Sequence, residues 1–192
     1  MAAMELSHEE LVALYLSGNE PAFADLTART IDQVYAFAVR YVGDSVLAED
    51  IVQETYVKVW KNLRRYNPDT SKFTTWLMRI ARNTAVDTLR KKKHVPMSAF
   101  DTPDGTNTLL ATTAATDTQA EEALIAQETS AAVQHAVQQL PYAQREVLTM
   151  HYTNHMTFDE IAQATGELPN TVKSRHFRAL QALRKLLNAP NT

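Results

Sequence analysis

The chain contains no cysteine, and only 4 of its 192 residues are glycine. The first absence excludes disulfides and thiolate zinc sites, and it suits a reducing compartment. The second, together with the lack of sustained apolar–polar alternation, argues against strands and leaves an all-α reading. No apolar run approaches the roughly 18 residues of a membrane span, and no basic-then-apolar leader opens the sequence. A soluble, cytoplasmic protein is expected. A third absence is local: residues 94–139 hold no Lys or Arg.

That gap belongs to a segregated charge pattern hidden by the formal net charge of -3. Residues 1–57 carry 2 basic and 10 acidic side chains, and residues 58–93 carry 11 basic and 2 acidic. Residues 94–139 add 6 acidic groups, and residues 140–192 carry 6 basic and 4 acidic. Two of the four blocks favour polyanions and two do not, which suggests separate surfaces for separate partners.

The most informative stretch is TFDEIAQATGELPNTVKSRHFRALQALRKLL, Thr157–Leu187. Thr157 and Glu160 form a T-x-x-E capping box, and Phe158, Ile161 and Ala162 give the helix that follows an apolar stripe. Gly166 can take the left-handed conformation that ends it. Pro169 suits the first turn of a second helix. There Val172, His176, Ala179, Leu180, Leu183 and Leu187 share a face. Thr171, Ser174, Arg178 and, on the flank, Arg175 lie away from it. The pattern is a helix-turn-helix, or else a helical hairpin with a solvated basic face.

The N-terminal half reads as further helices. Ser7 and Glu10 form a second capping box, and Gly43-Asp44 ends a long helix with Phe23, Leu26, Ile31, Val34, Phe37 and Tyr41 as apolar positions. In the next, Ser45–Leu63, residues Val46, Ile51, Val52, Thr55 and Val59 can face a core. Asp50, Gln53, Glu54 and Val57 form a second, acidic and amide-rich face. It is either solvated or a docking surface for a basic partner; without a histidine at useful spacing it makes no convergent acid–base or metal site. Asn67-Pro68-Asp69 marks an exposed loop. A helix from Thr74 or Thr75 to about Lys93 follows, with Leu77, Ile80, Ala81, Thr84 and Thr88 inward and Arg79, Arg82, Asn83, Val86 and Arg90 outward. A basic stripe beside Tyr66, Phe73, Trp60 and Trp76 has the ingredients of single-strand binding, although both tryptophans read more simply as core.

AEDIVQETYVKVW (Ala48–Trp60) and KFTTWLMRIARNTAVDTLR (Lys72–Arg90) resemble region two of an ECF-type sigma factor of bacterial RNA polymerase, in the sigma-70 family. LPYAQREVL (Leu140–Leu148), TFDEIAQATG (Thr157–Gly166) and TVKSR…RAL (Thr171–Leu180) resemble its region four. The resemblance implies two small helical domains, residues 1–93 and 119–188, joined by a flexible acidic linker over 94–118. As a coil that linker averages roughly 25–30 Å end to end. It implies contact of Asp50, Gln53, Glu54 and Val57 with the clamp helices of the polymerase largest subunit, and of the second domain with the flap. The loop Tyr66–Phe73, with Lys72, is implied to pocket a flipped base of the minus-ten element. Arg79, Arg82, Asn83, Arg90 and Lys91 would engage and open that element. Thr171, Lys173, Ser174, Arg175 and Arg178 would enter the major groove of the minus-thirty-five element. An anti-sigma factor is the expected regulator, association with the nucleoid is expected when active, and no cofactor or covalent chemistry is implied.

Two departures from the family pattern stand out. Leu168 precedes Pro169 where a small capping residue is usual, leaving Asn170 as an alternative cap. His176-Phe177 replaces Leu-His and puts a histidine on the apolar seam. Residues from about Thr118 to Gln139 resume a helix, with Leu124, Ile125, Val133 and Val137 along it. His151 and His155 have metal-pair spacing, but Thr153-Asn154 breaks the helix between them and no third ligand is evident. A stand-alone helix-turn-helix regulator is the rival reading; nothing resembles the receiver or ligand domain it would carry.

Overall fold

Helix boundaries follow the local chemistry closely in the computed structural model, which describes residues 6–100 and 131–188. Helix α1 (His8–Leu16) opens with the Ser7–Glu10 box: Glu10 N donates to Ser7 Oγ at 3.2 Å, and Ser7 N donates to Glu10 Oε2 at 2.6 Å. Helix α2 (Pro21–Val42) ends on Gly43 at φ 70. The next residue starts α3 (Ser45–Asn62), with Asp44 Oδ1 accepting from Leu47 N at 3.0 Å. A single tight turn at Leu63–Arg65 leads through the loop to α4 (Phe73–Lys92), which begins a residue or two before the expected start.

The second module comprises α5 (Ala131–Gln139), α6 (Tyr142–Leu148), α7 (Phe158–Thr165) and α8 (Pro169–Asn188). A wide turn at Thr149–Thr153 follows α6, and His155 takes φ 53, so the chain does break between His151 and His155. Thr157–Glu160 is a complete capping box, and Gly166 ends α7 at φ 77. At the start of α8 the Leu168 carbonyl accepts from Thr171 and Val172, so the helix begins at Pro169 and Asn170 is not its cap. No strand occurs among the described residues.

The core of the first module includes Leu26, Phe37, Tyr41, Ile51, Phe73, Leu77, Met78 and Leu89, all essentially fully buried. This apolar cluster does not stop at the module boundary. It continues through Val147, Met150, Met156, Ile161, Ala164 and Val172, so α4 is covered by α2 and α3 on one side and by α7 on the other. A smaller cluster of Val133, Ala136, Leu140, Leu148, Ala179, Leu180 and Leu183 closes the far side of the second module.

Several inward positions expected from the pattern lie outward. Val46 is 71% exposed, Trp60 56% and Ile31 38%. Val86, expected on the outer face of α4, is buried. The segment after α4, read as the start of the linker, lies along the modules: Val95 packs on the core, and Phe100 is buried with its ring 5.0 Å from that of Tyr142. The linker reading over 101–118 and the helix expected from Thr118 to Ser130 fall outside the described residues.

Candidate nucleic-acid and polymerase interface

On α3 the residues Asp50, Gln53, Glu54 and Val57 are all exposed. Val46 and Trp60 extend the same side at helical spacing, so the face is a mixed apolar and acidic stripe, and Trp60 belongs to it rather than to the core. Exposed aromatic and aliphatic groups aligned in one stripe suit a docking surface better than a solvated face, with the carboxylates as its polar rim. Two basic groups touch its edge: Lys58 pairs with Glu54 at 2.9 Å, and Lys92, from the end of α4, pairs with Asp50.

The loop between α3 and α4 is internally braced. Asn67 Oδ1 accepts from Asp69 N at 2.9 Å, and the Asn67 carbonyl accepts from Thr70 Oγ1 at 2.8 Å. Tyr66 and Phe73 are buried and meet edge to face, with Trp76 against both. The Tyr66 hydroxyl donates to the Ser71 carbonyl at 2.9 Å. Burial, and then the nearby Glu9 carboxylate, push that phenol up to about 12. Two of the residues expected to stack on a base therefore form the floor under the loop. Beside it lies a cleft of about 400 Å³ lined by Lys58, Asn62, Arg65, Trp76, Ile80 and Asn83. Asn83, Arg90 and Lys91 are exposed, and Arg90 lies 3.6 Å from Asp87.

Three other basic groups of this surface, Arg82, Lys72 and Arg79, are occupied by the second module. Arg82 Nε donates to Glu146 Oε1 at 2.6 Å, with the two side chains 18% and 1% exposed. Burial pushes the Glu146 carboxyl up, against the pull of Arg82. Lys72 pairs with Glu160 at 2.8 Å, Arg79 donates to the Gln163 carbonyl, and Gln163 Nε2 donates to the Thr70 carbonyl at 2.6 Å. Farther along, Arg145 is buried and donates to the Tyr41 carbonyl and to Gln138 Oε1, each at 2.7 Å, and Gln138 reaches the Arg40 carbonyl. Asn154 and Gln33 exchange a reciprocal pair of bonds at 2.9 and 3.3 Å. None of these polar contacts was visible in the sequence.

On α8, Lys173 and Ser174 are exposed and Thr171 half so. Arg178 lies along the helix, its Nε donating to the Ser174 carbonyl at 3.2 Å. Arg175, expected on the DNA-facing flank, turns inward instead: it is 4% exposed and pairs with Glu167 at 2.6 Å. His176 sits on the seam as expected, its Nε2 3.1 Å from the Tyr152 hydroxyl and its ring 5.2 Å from His151. Burial, reinforced by His151, lowers its pKa to about 4. His151 itself stacks on Phe158, centroids 4.7 Å apart, and its Nδ1 lies 2.9 Å from the Met156 carbonyl oxygen.

Residues 12–95 match the family model for Sigma-70 region 2, and residues 130–183 match that for Sigma-70, region 4. The ECF RNA polymerase sigma factor SigW of Bacillus subtilis is 32% identical over 187 residues, which cover 96% of this chain and 98% of SigW. The chain belongs to the ECF sigma factors. The RNA polymerase sigma-H factor of Pseudomonas aeruginosa is also 32% identical, over 93% of each chain. Among solved structures, CnrH in complex with the cytosolic domain of CnrY aligns with a TM-score of 0.68 at 26% identity, covering 94% of this chain and 96% of CnrH. The sigma factor RpoE of Bartonella quintana, in complex with the anti-sigma factor NepR, shares the fold with a TM-score of 0.63 at 24% identity, over 88% of this chain and 98% of RpoE. Sigma factors of this family serve transcription initiation. Among the described residues no helix of this one is long and apolar enough to cross a membrane.

Proposed function

We propose that this ECF sigma factor docks on core RNA polymerase through Asp50, Gln53, Glu54 and Val57 of α3, with Val46 and Trp60 completing the surface. The clamp helices of the largest subunit take that face, and the flap takes the second module. Promoter DNA is then read twice. Thr171, Lys173, Ser174 and Arg178 of α8 enter the duplex at the minus-thirty-five element, with Arg175 behind them holding the turn through Glu167. Arg79, Arg82, Asn83, Arg90 and Lys91 of α4 take the opened strand of the minus-ten element. One unstacked base enters the cleft between Trp76 and Asn83, above the floor made by Tyr66 and Phe73, while Lys72 meets phosphate. Melting needs no covalent step, because opening is favoured to the extent that the single strand binds more tightly than the duplex.

The observation that carries this reading is the placement of an exposed acidic–apolar stripe and a basic helix with an open cleft beside it on one module. In the present arrangement Arg82, Arg79 and Lys72 already hold protein acceptors, so this is the resting form, and the modules must part before those three cations can turn to DNA. An anti-sigma protein that favours the closed form would hold the factor inactive in the cytoplasm; release would let it join the nucleoid. The deciding experiment adds the purified chain to bacterial core polymerase on genomic DNA. Specific initiation supports the proposal, whereas sequence-specific binding without core polymerase would favour a stand-alone regulator.

A further inference from the structure

Helix α4 starts without a cap of its own. Lys72 precedes it with extended backbone, φ -60 and ψ 149, and its side chain has no oxygen for the orphan donors of the first turn. The Phe73 N–H is satisfied from far away in sequence, donating to Glu9 Oε1 at 2.9 Å. Glu9 is half-buried in the first turn of α1, whose own start is fixed by the Ser7–Glu10 box and whose Leu11 and Val12 are buried against the core. The same carboxylate lies beside the Tyr66 hydroxyl, which closes the loop from within through Ser71. His8, the preceding residue, places its ring 6.0 Å from that of Phe73. Both ends of the Tyr66–Phe73 loop thus converge on a single carboxylate, carried by a helix that otherwise only packs.

We propose that Glu9 is a positioning residue for base capture: by accepting from the Phe73 N–H beside Tyr66, it fixes the loop against which the unstacked base is held. The assignment rests on the reading of this loop and α4 as the minus-ten site. A loop already held in its binding geometry loses little freedom when the base arrives, whereas a released loop must be ordered at that moment. The interaction needs an acceptor oxygen at this position rather than a negative charge, and this separates it from general electrostatics. Losing one such bond weakens the step it supports by about fivefold to tenfold.

The test uses holoenzyme formed from core polymerase and the full-length chain as wild type, Glu9→Gln, Glu9→Ala or Tyr66→Phe. Each is measured on a promoter found by genomic initiation, in duplex form and with the minus-ten region premelted. Glu9→Gln keeps an acceptor and should match wild type. Glu9→Ala should bind the premelted promoter about fivefold to tenfold more weakly and discriminate less among the four bases at the captured position, with core affinity unchanged. Tyr66→Phe should move in the same direction. Wild-type discrimination by Glu9→Ala would overturn the assignment. So would a loss matched by an equal loss of core affinity, or a Glu9→Gln variant as impaired as the alanine. Failure of the wild-type chain to open any promoter would remove the underlying minus-ten reading, and this assignment with it, and shows in the wild-type measurement alone.

Discussion

Substituting Glu146→Ala should open the molecule. Glu146 is 1% exposed at the end of its 2.6 Å contact with Arg82, and Arg82 retains 18% exposure. Removing one partner of a buried ion pair costs about 3–5 kcal/mol, mostly because the other charge stays buried and unpaired. The residual exposure of Arg82 lets water reach it, which points to the lower end, about 3 kcal/mol, or roughly a hundredfold in the closed-to-open ratio. A closed form favoured a hundredfold would then be about evenly balanced with the open one. The absence of cysteine makes the assay direct. Glu20→Cys on the first module and Gln181→Cys on the second accept two spin or fluorescent labels with no background thiol to remove. The wild-type background should give one short, narrow distance distribution, and Glu146→Ala should add a broad, longer population. Non-specific single-strand binding should rise in parallel, since Arg82, Arg79 and Lys72 lose their protein acceptors together. A folded Glu146→Ala protein with the wild-type distance distribution would refute the reasoning, because the remaining contacts would then hold the modules without this pair.

Three further outcomes follow from single positions. Gly43→Ala should destabilise the fold by about 1–2 kcal/mol, since a side chain is disfavoured in the left-handed region. The added Cβ would also meet Gln138 Oε1 at 2.5 Å, so this variant should show some opening in the labelling assay, beyond its cost in chemical denaturation. His176 has a folded-state pKa near 4, below its ordinary 6.5, so the unfolded chain takes up this proton first; stability contributed by neutral His176 is complete above about 6.5 and is lost as pH falls towards 4. His176→Leu should flatten the pH dependence of the thermal midpoint in that window, and an unchanged slope would count against it. Trp60→Ala should lower affinity for core polymerase by about tenfold or more, as truncation of an interface aromatic does, in a competition assay against wild type. Its thermal midpoint should barely move, because the side chain is 56% exposed.

What was legible in the sequence is what is encoded locally. Both capping boxes, the Gly43-Asp44 junction and the Gly166 stop concern residues within four of each other, and their chemistry acts at that range. The helix-turn-helix followed from the same signals, whereas the all-helical plan came from the lack of strand-like alternation and the two-module plan from the resemblance to sigma regions two and four. Apolar character was less decisive, because it marks a docking face and a core face alike; Trp60 and Val46 were assigned inward for that reason. Arg175 lay on the flank of the helical wheel, where a small rotation decides between solvent and seam, and Glu167 decided it. Least legible was the closure of the two modules. Its polar contacts pair Arg82 with Glu146 and Lys72 with Glu160, far apart in sequence, and several use the backbone carbonyls of Arg40, Tyr41, Thr70 and Gln163, which any residue type presents.

The pattern of exposure also orders the events of the proposed mechanism. The α3 stripe faces solvent in the closed form, whereas Arg82 of α4 is turned onto Glu146 with only 18% of its side chain exposed. The chain can therefore meet core polymerase before it can meet a melted strand, so promoter opening by the factor alone is disfavoured. The lock need not be strong to achieve this. A buried ion pair returns little net stability, since desolvation of both charges offsets most of their attraction. Glu146 and Glu160 offer Arg82 and Lys72 carboxylate oxygens much as a DNA backbone offers phosphate oxygens. Exchanging one set of anionic acceptors for the other leaves the cations paired in both the closed and the DNA-bound form. Between the two, with the modules parted, they are solvated rather than buried and unpaired.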